Sequence, residues 1–309
     1  KIFNVDIWSN DGSLVNSFQK LNIKSTGVEP NKLISKIANK NNNMTINSVF
    51  NKKVTKEICN KFGKADIITA NYVFANIDNL DNFLLAIQEL LSKNGTFIIQ
   101  TGYHPRQLKL NMFDYAYHEH LSYFSLYSIN KLLKRFGFNI YDLSFENIKQ
   151  GSIRVYASRN PKKISNVVNK SLKQEQLLGV HRIEYFYKLE LRLKNINHKL
   201  LESLSSFKNM GYTIIGFGAS PSTTTLIYYF NLAAYIEYIV DDNPIKHNRY
   251  SPGYKIPVFE TKKMYEEKKC VILILAWQQG KIILNKHKSI LKSKNKFLIP
   301  LPRIKIIEK

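Results

Sequence analysis

Residues 112–125, "MFDYAYHEHLSYFS", place two histidines, a glutamate, an aspartate and three tyrosines in one short stretch with little apolar periodicity. Such a run reads as a loop. Histidine is the side chain whose ordinary titration range fits proton transfer near neutral pH. A general base must come within hydrogen-bond reach of the proton it removes. One such reaction is abstraction of a proton from carbon next to a ketone, where the charge spreads onto oxygen as an enolate. "HEH" (118–120) is also a spacing that would hold a metal if a third ligand joined it, but no other His/Cys cluster accompanies it. His118 then reads as a loop-stabilising residue. Phe113, Tyr123 and Phe124 read as packing residues, and His181, His198 and His287 as surface positions.

The elements that must hold this loop follow from the pattern around it. "IFNVDI" (2–7), "IKSTGVEP" (23–30), "ADIITA" (65–70), "GTFIIQT" (95–101), "FNIYDLSF" (138–145) and "SIRVYAS" (152–158) read as strands, and helical spacings separate the earlier ones. Strand–helix alternation implies a doubly wound, Rossmann-like α/β domain over residues 1–160. The last two strands are joined by a short connection, which predicts an antiparallel hairpin closing the sheet. Residues 161–210 are polar-rich and helical in spacing and read as a linker. Residues 211–309 carry "GYTIIGFGAS", "YIEYIVDDNP", "CVILILAW" and "KFLIPLP" and read as a second, smaller Rossmann-like α/β domain.

Ligands of open α/β sheets lie at the carboxyl ends of the strands. The first turn, "VDIWSNDGSLV", lacks the G-x-G-x-x-G of a dinucleotide site and offers Asp6, Ser9, Asp11 and Gly12 instead. Glu29 ends the second strand, where a carboxylate can bind ribose hydroxyls. Acidic groups there suit S-adenosylmethionine, which brings a ribose, an ammonium and a sulfonium but no phosphate. An ordinary turn carrying surface acids is the competing reading. "GFGASPSTTT" has the look of a phosphate-cradling turn opening a helix. Lys246 and Arg249 lie beyond a strand end, where they would meet a diphosphate or be ordinary exposed basic residues, and His104 and Arg106 follow the strand at 95–101, facing the sugar or its phosphates or serving a plain loop role.

The whole chain resembles the sugar C-methyltransferase family, which methylates nucleotide-linked ketosugars with S-adenosylmethionine. "DIWSNDGSL" is similar to the family's cofactor loop E-I-G-S-N-D-G-T-L, followed here by "GVEP". "ADIITANYVFANIDNLDNFL", "MFDYAYHEHLSYFS" and "IIGFGASPSTTTLIYYF" with "IVDDNPIKHNRYSPGYKIPV" carry the rest of the likeness. The resemblance implies that His120 is the base, that Glu119 orients the sugar and that Tyr117 assists the keto–enol change. It implies a cofactor site including Asn71, with Tyr72 and Asn76 facing the substrate. Trp8 stands where the family has Gly, Tyr72 and Asn76 where members often carry Asn and His. An indole at position 8 would crowd the methionine portion of the cofactor. Members carry an N-terminal zinc-binding module with paired cysteines; zinc would belong to that module alone, and the chain opens at Lys1 already inside a strand-like run, as expected of a chain that starts after it.

Composition sets the remaining bounds. The 309 residues suffice for two domains with their own cores. There are 46 Lys and Arg against 23 Asp and Glu, but the basic residues are spread along the chain and accompany no nucleic-acid-reading module. Acidic nucleotide-linked substrates are the partners this charge suits. The two cysteines, Cys59 and Cys270, give no disulfide framework, and no apolar run spans a bilayer. The expectation is a cytoplasmic enzyme, a monomer or small homo-oligomer, without nucleic acid or membrane partners. The alternatives are a methyltransferase acting on another small acceptor, and a nucleotide-sugar binding protein whose catalysis Trp8 has impaired.

Overall fold

The computed structural model describes residues 2–41 and 43–309, and of Lys292 the backbone alone. The chain divides into two compact units. The first comprises residues 1–106 and 119–182, the second 107–118 and 183–309.

In chain order the first unit carries β1 (Phe3–Ile7), α1 (Ser13–Lys20), β2 (Lys24–Val28), α2 (Lys32–Lys40), β3 (Thr45–Ile46), α3 (Lys52–Phe62), β4 (Ala65–Asn71), α4 (Leu80–Leu90) and β5 (Leu91–Gly102). A short helix α5 (His104–Lys109) runs across the unit boundary. Then follow α6 (Leu126–Arg135), β6 (Asn139–Glu146), β7 (Ser152–Ser158) and α7 (Asn166–Leu178). The sheet order is β3-β2-β1-β4-β5-β7-β6. The first five strands are parallel, and β7 inserts antiparallel between β5 and β6. The expected hairpin is therefore present, with its second strand on the inside. The two-residue β3 has no counterpart in the expected strands.

Every residue of β1 is buried, as a central parallel strand covered on both faces requires. Leu84, Ile87 and Leu90 of α4 pack into the same core as Ile68 and Ala70 of β4 and Phe97 and Ile99 of β5. Burying each such leucine or isoleucine contributes about 1.5–3 kcal/mol. The abundant asparagines serve the helix starts. Asn31, Asn51 and Asn79 each accept backbone amides at the head of α2, α3 and α4, a contribution of about 1 kcal/mol apiece. Ser125 and Ser128 form a reciprocal cap on α6, and the buried Glu175 of α7 accepts the amides of Leu126 and Tyr127 at the same helix end.

The second unit consists of α8 (Ile183–Asn209), β8 (Thr213–Phe217), α9 (Pro221–Tyr229), β9 (Tyr238–Asp241), β10 (Arg249–Tyr250), β11 (Pro257–Glu260), β12 (Cys270–Ile274), α10 (Gly280–Lys286), β13 (Lys296–Ile299) and β14 (Lys305–Ile307). Its sheet order is β10-β11-β9-β8-β12-β13-β14, parallel except for the two edge strands. The helical stretch read as a linker is divided at Gly179: α7 packs with the first unit and α8 with the second. Residues 107–118 are fastened into the second unit. Leu108 and Met112 join its core, Asn111 donates to the Pro302 carbonyl at 2.9 Å, and Trp277 Nε1 and Gln278 Nε2 both donate to Asp114 Oδ2 at 2.9 Å.

Candidate active site

Within the first unit a cavity of about 540 Å³ opens at the carboxyl ends of β1, β3 and β4. Trp8, Phe50, Ile77 and Phe83 supply its apolar walls, and Asn51, Asp78, Asn79 and Asn82 its polar ones. This donor set fits an adenosine: flat apolar surface for the base, amide and carboxylate groups for hydroxyls. The turn before it has an unusual backbone. Trp8 and Asn10 have φ of 57° and 51°, and Gly12 79°. Trp8 thus occupies a left-handed position, where a glycine would sit without strain. Its amide donates to the Val28 carbonyl at 2.8 Å, and the indole is half-buried against the core.

The expected cofactor residues do different things. The Asp6 carboxylate is buried and accepts Thr69 Oγ1 at 2.6 Å. Burial, with a smaller push from the Glu29 charge, raises its pKa to about 7 against the lowering effect of Thr69. Glu29 is buried at the end of β2, where its two oxygens accept the amides of Asn10 at 3.0 Å and Asn31 at 2.8 Å. Each oxygen keeps a second lone pair, which a ribose hydroxyl would use. Ser9 is buried, its hydroxyl in the space a Cβ at Gly27 would take. Asp11 is exposed and accepts the Ser13 amide and hydroxyl, which lowers its pKa. Gly12 has no room for a side chain, since a Cβ would come within 2.5 Å of Asn43 Cβ. Asn71 ends β4, half-buried. Phe50, Asn51, Ile77, Asp78, Asn79 and Asn82 were not singled out in the sequence. They follow β3 and β4, and the rule of strand carboxyl ends was the signal that would have found them.

The proton-handling run is split by the fold. Tyr117 and His118 belong to the second unit, Glu119 and His120 to the first. In the first unit the Tyr123 ring lies 5.1 Å from the His104 ring and 6.0 Å, edge-on, from the His120 ring. Burial lowers the His104 pKa to about 4, so its imidazole is neutral. Tyr123 therefore stands between two imidazoles, whereas Phe124 packs on Phe74 and Phe113 on Tyr229 and Phe230, as packing residues do. Asn76 is exposed and lines the cavity beside Trp8. Tyr72, with φ 54°, accepts Gln100 Nε2 at 2.9 Å and shares a 2.9 Å bond with Ser152 Oγ. Gln100 Oε1 in turn accepts Arg154 Nε and Nη2, and Arg154 Nη1 lies 3.3 Å from Glu146. The Tyr72 hydroxyl is consequently fixed.

The second unit holds its own cavity, about 530 Å³, at the head of α9. Tyr117, His118, Lys246 and Arg249 line it together with the hydroxyl-bearing Ser220 and Thr223–Thr225. The glycines of "GFGAS" make room for protein. A Cβ at Gly216 would meet Leu275 Cδ1 at 2.6 Å, and one at Gly218 would meet Ala276 Cβ at 2.5 Å. Asp241 ends β9, where a dinucleotide ribose would be bound, but its carboxylate is taken by the Ala219 and Asn243 amides and by Lys246 Nζ at 3.0 Å. These bonds hold its pKa low despite burial. Arg249 is exposed and forms no ion pair among the described residues. No group of three metal-ligating side chains exists among the described residues. His181 and His198 are on the surface as expected. His287 is not: it is buried against Phe217, with Nδ1 2.8 Å from the Tyr265 hydroxyl, because the basic stretch around it folds back as the end of α10.

A seven-stranded sheet of this order, with its acidic first turn, makes the first unit a methyltransferase domain, and residues 5–143 match the methyltransferase domain family. Residues 147–302 match the family described as "C-methyltransferase C-terminal domain". The chain belongs to the S-adenosylmethionine-dependent C-methyltransferase family. It is 26% identical over 306 residues to the C-methyltransferase NovU of Streptomyces niveus, covering 98% of this chain and 73% of that protein. Among solved structures, a SAM-dependent methyltransferase from Archaeoglobus fulgidus aligns with a TM-score of 0.42 at 14% identity, over 50% of this chain and 86% of that one. Magnesium protoporphyrin IX methyltransferase from Synechocystis PCC 6803 aligns with a TM-score of 0.40 at 14% identity, over 52% of this chain and 74% of that one. The methyl donor is S-adenosylmethionine. No described helix is long and apolar enough to cross a membrane, and both cysteines are free thiols.

Proposed function

We propose that the protein methylates the carbon next to the ketone of a nucleotide-linked keto-deoxysugar, in a reducing cytoplasm. Bound S-adenosylmethionine supplies an electrophilic methyl group. Phe50, Ile77 and Phe83 form the surface for its adenine, Trp8 narrows the cleft beside its methionine portion, and Glu29 accepts from its ribose. Asp6, Ser9, Asp11, Gly12 and Asn71 shape and charge that cleft. His120 removes the proton from carbon, and the electron pair moves to the ketone oxygen. Glu119 orients the sugar, and Tyr117 assists the keto–enol change. Tyr72, Asn76 and His104 lie on the substrate side of the first unit. The cavity of the second unit takes the nucleotide diphosphate through Arg249, with Lys246 and the hydroxyls at the head of α9.

The observation that carries this reading is the grouping of His120, Tyr123 and neutral His104 in the same unit as the cofactor cleft. A base beside an aromatic ring, with a neutral imidazole on that ring's other neighbour, suits abstraction of a weakly acidic C–H. Incubation with methyl-labelled S-adenosylmethionine and a panel of nucleotide ketosugars, read by mass spectrometry, tests it. Label is expected on the sugar carbon beside the ketone. His120→Ala should lower turnover by roughly two to four orders of magnitude while leaving cofactor affinity intact. Label on an oxygen, or full activity in His120→Ala, would overturn the assignment.

A further inference from the structure

Four residues with positive φ meet in one part of the first unit: Tyr72 (54°), Lys149 (51°), Gln150 (62°) and Gly151 (130°). Three of them carry side chains, which ordinarily avoid this region. The surroundings hold them there. The Ile148 carbonyl accepts the Gly151 amide at 3.1 Å and the Ser152 hydroxyl at 2.9 Å, and Ser152 Oγ reaches the Tyr72 hydroxyl. A Cβ at Gly151 would come within 2.6 Å of Arg106 Cδ. Strain that the fold maintains in this way is a marker of function.

The product of the strain is the position of one cation. Lys149 Nζ lies 4.1 Å from the centroid of the Tyr72 ring, and the Glu119 carboxylate acts on it electrostatically. Lys149 as a whole is exposed, yet desolvation of its ammonium lowers its pKa while Glu119 raises it. The other cations nearby are engaged. Arg106 donates to Asn147 Oδ1 at 2.7 Å, Arg154 is held by Gln100 and Glu146, and His104 is neutral. Lys149 Nζ donates no hydrogen bond to any described residue. It is a cation held in place with its donors in hand.

Removing a proton from carbon leaves a negative charge on the neighbouring oxygen, and a fixed cation aimed at that charge lowers the barrier. We infer that Lys149 is a further catalytic residue, whose ammonium stabilises the enolate oxygen formed when His120 takes the proton. The C–H bond breaks, its proton goes to the His120 imidazole, its electron pair becomes the new C=C bond, and the carbonyl π pair moves to oxygen beside Lys149. Tyr72 supports the lysine stem and Glu119 limits its sweep. This inference rests on the C-methyltransfer to a ketosugar proposed above.

The experiment separates the two. Nucleotide-linked 4-keto-6-deoxysugars with uridine, guanosine, cytidine and thymidine diphosphate are placed in heavy water with the protein and S-adenosylhomocysteine. Deuterium entering the carbon next to the ketone is followed by mass spectrometry. The native protein should exchange at least one of them. Lys149→Met should slow that exchange by about 10²–10³, the usual loss on deleting one oxyanion-stabilising group. Lys149→Arg should recover much of it, and S-adenosylhomocysteine affinity, read by calorimetry, should be equal in all three. No exchange by the native protein would sink the ketosugar reading and this inference with it. Exchange by the native protein that persists undiminished in Lys149→Met, or a loss that tracks cofactor affinity, would overturn the role of Lys149 alone.

Discussion

Thr69 on β4 donates its hydroxyl to the buried carboxylate of Asp6 on β1 at 2.6 Å, two residues before the turn that opens at Trp8. The hydroxyl favours the ionised form, but burial outweighs it and the Asp6 pKa stands near 7. Folded Asp6 therefore holds its proton far more tightly than an unfolded one, whose pKa is 3.8. The stability this contributes is complete below about pH 4 and is lost as pH rises through 7. Asp6→Asn, which keeps an acceptor for Thr69, should remove that loss. Its melting temperature should exceed the native one at pH 8 by clearly more than at pH 5, an effect on the order of a few kcal/mol. Parallel pH profiles for the two proteins would show that Asp6 is not the titrating group.

Glu29 joins the first turn to the head of α2 through the amides of Asn10 and Asn31. Glu29→Ala should weaken S-adenosylmethionine binding at least tenfold in calorimetry, since it deletes the ribose acceptor and frees both amides. Tighter binding of NAD than of S-adenosylmethionine would contradict this assignment.

Trp8→Gly should act in the opposite direction. Glycine accepts the left-handed φ of 57° and relieves strain of about 1 kcal/mol, and loss of the indole opens room for the methionine portion of the cofactor. Calorimetry should show tighter binding. Weaker binding would show that the indole supports the cofactor rather than crowding it.

Trp277 Nε1 donates to Asp114 Oδ2, while Asp114 Oδ1 is buried without a partner among the described residues. Burial pushes the Asp114 pKa up to about 6. Trp277→Phe should destabilise the protein by about 1–3 kcal/mol in denaturant titrations, the cost of leaving the buried Asp114 carboxyl with Gln278 as its one remaining side-chain donor among the described residues. Asp114→Asn combined with Trp277→Phe should cost less than Trp277→Phe alone.

Arg249 and Lys246 both line the cavity of the second unit, but Lys246 is tied to Asp241. Titration with uridine and thymidine diphosphates should show a loss of about tenfold for Arg249→Ala, the size of one charge-assisted hydrogen bond. The loss for Lys246→Ala should be smaller. Equal losses would mean that the ion pair opens on binding.

The strands and helices of both units were legible because burial on both faces of a parallel sheet leaves continuous apolar runs. "CVILILAW" contains β12, all of whose residues are buried. The acids of the first turn and its place after the first strand were legible too. What periodicity does not carry is which side chains meet. Phe50, Ile77 and Asn79 reach the cavity beside Trp8 because β3 and β4 end at the same side of the sheet, a fact of strand order. The two-residue β3 is too short to leave a pattern, and His287 looks like surface until α10 ends against Phe217.

The sequence by itself determined the two α/β units, the run at 112–125 rich in His, Glu and Tyr, and the family, since each is written in local pattern and residue type. The tertiary structure alone decided that the run is divided between the units after His118, that Tyr123 stands between His104 and His120, and that Lys149 lies over Tyr72. The reason is physical. A residue's type and spacing fix what it prefers to bury, but the sign of φ at Lys149 and Gln150 is set by bonds from Ile148, Ser152 and Tyr72, which the sequence keeps up to 80 residues apart.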